Sequence, residues 1–463
     1  MAPQIMNKTS LIKYVHNISH QKRRETILGL FELALNSIDP FYLVKSSVSI
    51  NNSRSELKIH DDVIPLKDRR IWVLGFGKAS GKMAEGLEAI FGESTMEGIV
   101  LVPFGLETRL NLPGIECIPT THPLPSETNL RATKKLLNLL EAVPDSDVIL
   151  SLISGGGSSM LVLPKPPISI GDLRELYSIL VESGMSIHEM NTIRKEVSLV
   201  KGGKMAEMTK ATTIILVISD VIGDDFGTIA SGPFFKTVSS SKDAIEILHR
   251  YGFWEHPTIL PPSVRTVLKE SPDSKPRYNS ESRSTIRKSP RHYLLGSGNI
   301  ACHAVKEKGV ELGFNSIFLT NQLEGDARYL GKLLARIYQG IAGSSSPPIL
   351  AVSGGESTVT VKGKGIGGRN QELAASFLDE ILSKNLNFTF LSCATDGIDG
   401  NSKFSGVILD QSSMKTCIKR GINISRYQAQ NDTTTLFQRI GGCLIQTGPT
   451  GTNTMDIQIA LIE

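Results

Sequence analysis

The sequence predicts an α/β fold in two domains, each with a largely parallel sheet flanked by helices. Short apolar runs alternate with helical patterns along most of the chain, and many of these runs end in glycine. At 463 residues the chain is too long for one ordinary core. Residues 271–291 are rich in Ser, Pro, Arg and Lys, which is typical of a flexible segment. We therefore expect an N-terminal domain over 1–265, a linker or insertion over 266–292, and a C-terminal domain over 293–463, whose last strand could return to the first domain.

Composition and charge exclude several classes of protein. The net charge of +4 is too small to indicate a nucleic-acid partner. No apolar run approaches the length of a membrane span, and the N-terminus lacks the apolar core of a secretion signal. The five cysteines are isolated and form no CxxC pair, so we expect neither a zinc site nor a disulfide framework. These features favour a cytoplasmic protein without a membrane partner.

The organising stretch of the sequence is Asp147–Leu163. Its apolar run, Val148–Ile153, predicts a buried strand, and a serine- and glycine-rich loop follows. Glycines permit unusual backbone angles and close approach of a ligand, so the free backbone N–H groups could bind phosphate or carboxylate. The alternative is a tight turn with no ligand. The loop residues are Ser154, Gly155, Gly156, Gly157, Ser158 and Ser159.

A second glycine loop follows the predicted strand Ile71–Leu74 and leads into a helix that ends near Phe91. It is neither a dinucleotide fingerprint nor a Walker A loop. Lys78 stands where this loop becomes helix, so its ammonium could reach phosphate oxygens; the alternative is a solvated lysine. His122, in a Pro-rich loop further on, is either a proton carrier or a structural histidine.

A basic stripe is expected within His188–Met208, which we interpret as helical. Helical spacing places one set of polar residues opposite Ile193, Val197 and Val200, which we expect in the core. The stripe is either an ordinary solvated face or a surface that binds substrate or phosphate. The polar set comprises Asn191, Arg194, Lys195, Ser198 and Lys201, of which Asn191, Arg194 and Lys201 are the binding candidates.

Aspartates follow two predicted strands. Asp220, Asp224 and Asp225 come after Thr213–Ile218, and Asp396 comes after a strand that ends at Cys393. Carboxylates beyond strand ends could hold Mg²⁺ with water and phosphate completing its ligands, although aspartate also favours turns without any metal.

The C-terminal half repeats the pattern of loops at strand ends. We expect Ser353–Glu356 to form a loop after strand Ile349–Val352, with a hairpin at Thr358–Val361. Arg369 begins a helix behind glycines, where a cation is well placed to meet phosphate. The further candidates for binding substrate or phosphate are Gly298, Asn299, Glu356, Gln371 and Asn453.

The ordered motifs resemble those of the class II glycerate kinases, over about residues 20–463. They are GFGKAS, THPLP, SGGGSS, NxxRKxxSxxKGG, SDVxGDD, SGGE, GGRNQE, ATDGxDG and GPTGTN. The resemblance implies an N-terminal Rossmann-like domain, a smaller C-terminal domain of the MOFRL type and an active site in the interdomain cleft. It also implies transfer of the ATP γ-phosphoryl group to D-glycerate, commonly giving 2-phosphoglycerate, with Lys78 and Arg369 catalytic. One departure is Glu196, where many bacterial members have histidine.

The residues taken together suit phosphoryl transfer, because cations, glycine N–H donors and carboxylates are what that reaction needs. We therefore expect D-glycerate and ATP as substrates and Mg²⁺ or a similar cation as cofactor, with a homodimer as one possible assembly. Two other functions remain open. One is an NAD(P)H-dependent hydroxypyruvate reductase, against which the sequence lacks a GxGxxG fingerprint with its acidic partner. The other is a protein that binds a phosphometabolite without catalysis.

Overall fold

A computed structural model of the chain describes residues 4–256, 258–270, 289–344, 348–384 and 386–463. The chain divides into two compact units. We call Pro40–Leu295 the central unit, and Met1–Asp39 together with Gly296–Glu463 the terminal unit. Most of the expected linker, residues 271–288, lies outside the described residues.

The elements are numbered in chain order. The strands are β1 (Val48–Ile50), β2 (Glu56–Ile59), β3 (Asp62–Pro65), β4 (Ile71–Phe76), β5 (Glu97–Pro103), β6 (Ile115–Thr120), β7 (Val148–Ser154), β8 (Thr212–Ile218), β9 (Arg291–Gly296), β10 (Asn315–Asp326), β11 (Ile349–Thr358), β12 (Phe388–Ala394), β13 (Gly406–Asp410), β14 (Leu444–Ile445) and β15 (Asp456–Ile462). The helices are α1 (Lys8–Lys13), α2 (Ile18–Ser37), α3 (Pro40–Ser47), α4 (Ser80–Phe91), α5 (Glu127–Ala142), α6 (Gly157–Met160), α7 (Ile170–Glu182), α8 (Ile187–Glu196), α9 (Ser241–Arg250), α10 (Pro262–Glu270), α11 (Gly298–Glu311), α12 (Ala327–Ser344), α13 (Arg369–Ile381), α14 (Gln411–Lys419), α15 (Ile424–Ala429) and α16 (Thr433–Ile440).

The central unit is built on a six-stranded sheet in the order β6-β5-β4-β7-β8-β9. Strands β4 to β8 pair in parallel, and every residue of β7 is buried, as expected for a strand covered by helices on both faces. The chain builds outward from β4 to β6 in one direction and from β7 to β9 in the other. The carboxyl ends of β4 and β7 therefore lie at a topological switch point, where open α/β sheets bind ligands.

The terminal unit has a mixed six-stranded sheet in the order β10-β11-β15-β12-β13-β14. The expectation of a largely parallel sheet is wrong here, because β10 and β11 pair in parallel while the other neighbouring strands pair antiparallel. Strand β15 lies between β11 and β12 and is antiparallel to both, so its first residue pairs with the last part of each neighbour. Asp456 is in register with Gly355 of β11 and with Ala394 of β12. Three chain segments thus meet at one edge of this sheet.

The first helices belong to the terminal unit, which differs from the expected domain limits of 1–265 and 293–463. Helix α2 buries Ile27, Leu28 and Phe31 completely, and Arg24 is equally buried. Arg24 Nε donates to Asp410 Oδ2 at 2.7 Å, which ties α2 to the end of β13. The last strand, β15, also lies in the terminal unit because its antiparallel pairing with β11 and β12 holds it there.

Three local predictions are wrong. The hairpin expected at Thr358–Val361 is not formed, because Thr358 ends β11 and residues 359–361 are not in a strand. The helix expected over His188–Met208 ends at Glu196, and the chain then turns back so that Leu199 N donates to Leu163 O. Ser353–Glu356 does not form a loop but continues β11 to Thr358, since it pairs with β10 on one side and β15 on the other. Among the described residues no single helix is long and apolar enough to cross a membrane, although the consecutive helices α2 and α3 would meet those criteria together.

Candidate active site

The loop after β4 is tied to the loop after β7 in the central unit. Lys78 N donates to Gly155 O at 2.9 Å, and Ala79 N donates to Ser154 Oγ at 2.9 Å. A Cβ atom on Gly77 would lie 2.4 Å from Ser154 Oγ, so only glycine allows this approach. The two glycine-rich loops found in the sequence are therefore one structural feature at the switch point.

Gly156 brings a third loop into the same feature. Its φ of +83° favours glycine, and a Cβ there would lie 2.9 Å from His122 Cδ2 and 3.3 Å from Lys78 Cγ. Lys78 is half-buried, and the residue His122 is exposed as a whole. Partial burial of its imidazole and the charge of Lys78 lower the pKa of His122 to about 4. A neutral imidazole thus lies beside a charged lysine at physiological pH.

Asp220 is the acidic residue next to this loop. A Cβ on Gly155 would lie 2.0 Å from Asp220 Oδ2, so the carboxylate lies directly against the glycine backbone. Asp225 is engaged in its own turn, where it accepts from Thr228 Oγ1 at 2.6 Å. Asp396 lies in the terminal unit, and its carboxylate accepts from Ile398 N. Within the described residues, no three His, Cys, Asp or Glu side chains form a group that could hold a metal ion.

The basic stripe is buried, so its interpretation as a solvated face is wrong, whereas Ile193, Val197 and Val200 lie in the core as expected. Asn191 Nδ2 donates to Thr228 O at 3.0 Å. Asn191 Oδ1 accepts from Ser231 Oγ at 2.9 Å, and Ser231 Oγ lies 2.8 Å from Ser158 Oγ. These contacts bring the stripe to the triglycine loop.

Two cations of the stripe also lie at this loop. Lys201 Nζ donates to Ser158 O at 2.7 Å and to Leu161 O at 3.1 Å. Burial lowers the pKa of Lys201 well below its usual value, and the charges of Arg194 and Lys204 act in the same direction. The Arg194 guanidinium stacks on the Tyr177 ring at 4.8 Å from its centroid.

Arg369 is the central cation of the terminal unit. Its Nε and Nη2 donate to the two Asp456 oxygens at 2.6 and 3.0 Å, and its Nη1 donates to Glu356 Oε1. Burial opposes its charge, but the two carboxylates prevail and raise the pKa of Arg369. Burial also raises the pKa of Asp456, whereas Arg369 lowers it; the bidentate contact favours the ionised carboxylate.

A cavity of about 520 Å³ opens beside Arg369. Its wall combines apolar and polar side chains, including Val359, Val361, Glu356, Asn401 and Asn431. This volume lies within the range of about 300–1,000 Å³ that is usual for small-molecule sites. The cavity and Arg369 together form the candidate site of the terminal unit.

Other predicted residues of the terminal unit differ in exposure. Gln371 is fully buried; its Nε2 donates to Asp399, and its Oε1 accepts from Thr434. Asn299 is half-buried, and a Cβ on Gly298 would lie 2.8 Å from Thr454 O. The Asn453 side chain accepts from Met455 N at 3.1 Å. Gln371 therefore supports the helix start, while Gly298 and Asn299 begin α11 next to the loop that contains Asn453.

The sequence did not single out two acidic residues that organise this site. Asp456 orients Arg369, and buried Asp399 accepts from the backbone N–H groups of Asn370 and Gln371 at the start of α13. Asp456 stands immediately before the final apolar strand, which was the available signal. Its pairing with Arg369 depends on the position of β15 within the sheet, which sequence order does not reveal.

Comparison with known proteins identifies the family. The domain of unknown function DUF4147 matches residues 26–269, and the MOFRL family matches residues 349–456. The chain is 34% identical over 446 residues to the glycerate 2-kinase of Pyrococcus horikoshii, covering 95% of this chain and 97% of that protein. The chain belongs to the glycerate 2-kinase family. The family expected from the motifs is therefore confirmed.

Solved structures extend the match to the fold of the glycerate 2-kinase family. The crystal structure of a glycerate kinase from Thermotoga maritima matches with a TM-score of 0.80 at 31% identity, covering 96% of this chain and all of that one. The predicted α/β class with two domains is thereby confirmed. A relative from Agrobacterium vitis, 34% identical over 95% of this chain and 94% of its own length, is named provisionally as a hydroxypyruvate reductase. Lys78 lies in the DUF4147 match and Arg369 in the MOFRL match.

Proposed function

We propose that this chain transfers the γ-phosphoryl group of ATP to D-glycerate and forms 2-phosphoglycerate. The observation that carries the proposal is the position of Lys78 against Gly156 at the switch point of a parallel sheet, in a member of the glycerate 2-kinase family. A lysine ammonium among glycine N–H donors is suited to neutralise charge on phosphate oxygens. Phosphoryl transfer depends mainly on such positioning and charge neutralisation.

In the central unit, we assign Lys78 as a catalytic cation and the loop Ser154–Ser159 as a binder of anionic groups. Asn191, Arg194 and Lys201 are proposed to contribute to substrate binding, which is supported by their burial and by the contacts of Asn191 with Ser231 and of Lys201 with Ser158. The neutral state of His122 at physiological pH makes it a hydrogen-bonding group rather than a second cation.

In the terminal unit, we assign Arg369 as the second catalytic cation. Its orientation is fixed by Asp456, so the guanidinium does not have to be ordered when a phosphoryl group arrives. The cavity beside it, with Glu356 on its wall, is proposed to accept part of a substrate. Gly298, Asn299 and Asn453 are further proposed binding residues, and Gln371 acts by holding the start of α13.

We propose Mg²⁺ as the cofactor, with Asp220, Asp224, Asp225 and Asp396 as its candidate ligands. Carboxylate oxygens are the donors that Mg²⁺ prefers, and it is usually bound through one or two of them plus substrate phosphates. The donor chemistry fits, although three acidic groups do not converge within the described residues. When bound, the ion would neutralise phosphate charge and orient the nucleotide.

The proposed location is the cytoplasm, which agrees with the five cysteines, all of them free thiols in the structure. Assembly into a homodimer is a separate proposal, and light scattering coupled to gel filtration is its test.

One assay pair tests the function. ATP with D-glycerate should produce ADP in a coupled assay, and phosphorus NMR of the product should identify the 2-phosphate. NADH with hydroxypyruvate tests the reductase alternative, which the name of the Agrobacterium vitis relative supports. NADH oxidation without ADP formation would replace the kinase with the reductase. Ligand binding without either reaction would identify a non-catalytic binding protein.

A further inference from the structure

Arg194 and Lys201 are buried cations for which the described part of the chain provides no counter-ion. Arg194 is 8% exposed, Lys201 is fully buried, and neither forms an ion pair with any described residue. Their neighbour Lys195 differs, because Asp225 and Glu196 act to raise its pKa against burial. Burial of an unpaired charge is costly, so this arrangement calls for a specific reason.

Lys201 uses two of the three donors of its ammonium within the protein. Its ammonium donates to the carbonyls of Ser158 and Leu161, which are the two ends of the short turn after the triglycine loop. The lowered pKa of Lys201 also reduces the cost of burying it. Lys201 therefore fixes the shape of the Ser158–Leu161 turn and contributes to the site mainly by holding that turn.

Arg194 is not satisfied in this way. Its Nη1 lies 3.5 Å from Asn191 Oδ1, which is at the outer limit of a hydrogen bond, and its Nε finds no partner among the described residues. Tyr177 covers one face of the guanidinium and leaves its N–H edge free of that ring. A guanidinium carries five donors in a plane and stays charged in proteins, so this edge suits a planar anion with two oxygens.

A carboxylate fits this edge better than a phosphate. A single negative charge balances one guanidinium, whereas a phosphate would bring about two charges into a buried place. The two planar oxygens of a carboxylate also match the fork of arginine.

We propose that Arg194 binds the carboxylate of the 2-hydroxy acid substrate, and that Lys201 is a positioning residue that holds the adjoining turn in place. The assignment rests on the proposed function and narrows a general anion site to one group of the substrate.

The triglycine loop connects the residue that Lys78 contacts to the turn that Lys201 holds. Gly156 lies against Lys78, and Ser158 is held by Lys201, two positions further on. Two residues span at most about 7 Å along the chain. The loop backbone that Lys78 contacts and the turn that Lys201 holds are therefore within about 7 Å of each other, as expected if both serve one small substrate.

Calorimetric titration of the full chain tests the assignment, with D-glycerate, glycerol and inorganic phosphate as probes. Wild type should bind D-glycerate and not glycerol, which lacks the carboxylate. Arg194→Gln should weaken D-glycerate at least about 30-fold, as expected when a buried charged hydrogen bond is lost. Arg194→Lys should recover part of that loss. The matched control is Arg174→Gln, an exposed arginine on the helix that carries Tyr177, which should bind as wild type does.

Kinetics separates the two roles. Arg194→Lys and Lys201→Met should each raise the KM for D-glycerate about tenfold or more and leave the KM for ATP within about twofold, since no nucleotide contact is lost. If Lys201→Met changed both KM values equally, Lys201 would have only a general structural role. Thermal unfolding checks each variant, and Arg194→Lys carries the test if Arg194→Gln fails to fold.

The outcomes also separate this inference from the proposed function. Binding of D-glycerate that depends on Arg194, without ATP turnover, would keep the carboxylate site and overturn the kinase. The opposite result would be ATP turnover with an unchanged KM for D-glycerate in Arg194→Lys, together with wild-type affinity for D-glycerate in Arg194→Gln. That result would support the kinase and contradict the carboxylate site at Arg194. Loss of phosphate binding instead of D-glycerate binding, or no D-glycerate binding by wild type, would also overturn the site.

Discussion

Arg369 and Asp456, 87 positions apart in the chain, meet through two nearly parallel hydrogen bonds of 2.6 and 3.0 Å. Asp456 begins β15, and β15 runs antiparallel between the ends of β11 and β12. The same sheet edge carries Glu356, which holds the third nitrogen of the guanidinium. The final strand therefore fixes the orientation of the cation that the first turn of α13 supplies.

Replacing Arg369 should remove a preorganised cation from the reaction. We expect Arg369→Ala to lower kcat about 10²–10³-fold, by analogy with other preorganised donors. Arg369→Lys should restore little activity, because a single ammonium cannot contact both Asp456 oxygens as the fork does. Steady-state phosphorylation of D-glycerate measures the effect, and circular dichroism checks folding. A folded Arg369→Ala protein with normal kcat would remove this residue from the mechanism.

Asp456→Asn should affect both activity and stability. The Asp456 side chain is 1% exposed and that of Arg369 is 27% exposed, so the variant leaves a largely buried guanidinium without its bidentate partner. We expect a loss of about 3 kcal/mol in the free energy of unfolding, the low end of the range for buried pairs. Urea unfolding measures it. The control is Glu380→Gln, because Glu380 pairs with Arg336, whose side chain is mostly exposed. This variant should lose less than about 1 kcal/mol in the free energy of unfolding. Equal losses in the two variants would contradict the prediction.

Lys78→Ala should lower kcat about 10²–10³-fold while the protein stays folded. The physical reason is the loss of a positive charge beside Gly156, where the proposed phosphoryl group is bound. Lys135→Ala is the matched control, because Lys135 is an exposed lysine of the same unit paired with Glu116. The control should keep wild-type kinetics. Near-normal kcat in folded Lys78→Ala would show that this lysine has no part in catalysis.

Gly156→Ala should impair catalysis beyond its effect on the backbone. Its Cβ would lie 2.9 Å from His122 and 3.3 Å from Lys78, so both side chains must move. Gly252→Ala is the control, since Gly252 has a similar positive φ of +71° and open space around its Cβ position. Both variants should lose about 1–2 kcal/mol of stability from backbone strain, but only Gly156→Ala should raise KM. The bulkier Gly156→Val should raise the KM further. Unchanged kinetics in folded variants would show that the loop is a turn that binds no ligand.

His122 should titrate near pH 4 in the folded protein, against about 6.5 when unfolded. Between these values the unfolded state binds a proton that the folded state does not, so stability should fall as pH drops from 6.5 toward 4. Proton NMR of the imidazole measures the pKa. His122→Asn should reduce the loss of stability over this interval. Lys78→Ala should raise the pKa of His122 only part of the way toward 6.5, because burial is the larger cause of the shift. A pKa of His122 near 6.5 in the wild-type protein would contradict the burial of its imidazole beside Lys78.

Activity should disappear in excess EDTA and return with excess Mg²⁺. Because three acidic groups do not gather in the described part of the chain, we expect the ion to depend on the nucleotide for its other ligands. Calorimetry should therefore detect weak binding of MgCl₂ alone. Full turnover of ATP in EDTA would contradict the requirement, and tight binding of Mg²⁺ without nucleotide would contradict the shared site.

Sequence patterns predicted what depends on local order. Periodicity and glycine placement predicted the strand as Val148–Ile153, one residue shorter than the observed Val148–Ser154. They also predicted the loop after it and the buried positions Ile193 and Val197. The alternation of strands and helices indicated the parallel sheet, and a parallel sheet brings its strand ends to one edge. This is why Lys78 and the triglycine loop could be suggested as parts of one site.

Features that depend on contacts between distant segments were beyond the sequence. The extension of β11 through Ser353–Glu356 depends on pairing with neighbouring strands on both sides. The low strand propensity of glycine argues against a strand at these positions, so the sequence alone predicted a loop. The burial of Arg194 and Lys201 follows from the chain turning back after Glu196, whereas charge alone suggests solvent. The pairing of Arg369 with Asp456 depends on where the last strand inserts.

The buried contact between Arg24 and Asp410 can form only late in synthesis, because Asp410 is translated long after Arg24. Helix α2 emerges from the ribosome before the central unit, but the residues that cover Ile27, Leu28 and Phe31 belong to a unit whose sheet is completed only by β15. Pro40–Leu295 can begin folding while its successors are still being translated, since domains generally fold as units. During this time the apolar side of α2 stays exposed. A nascent chain therefore passes through a stage in which this short segment is the natural binding site for a chaperone.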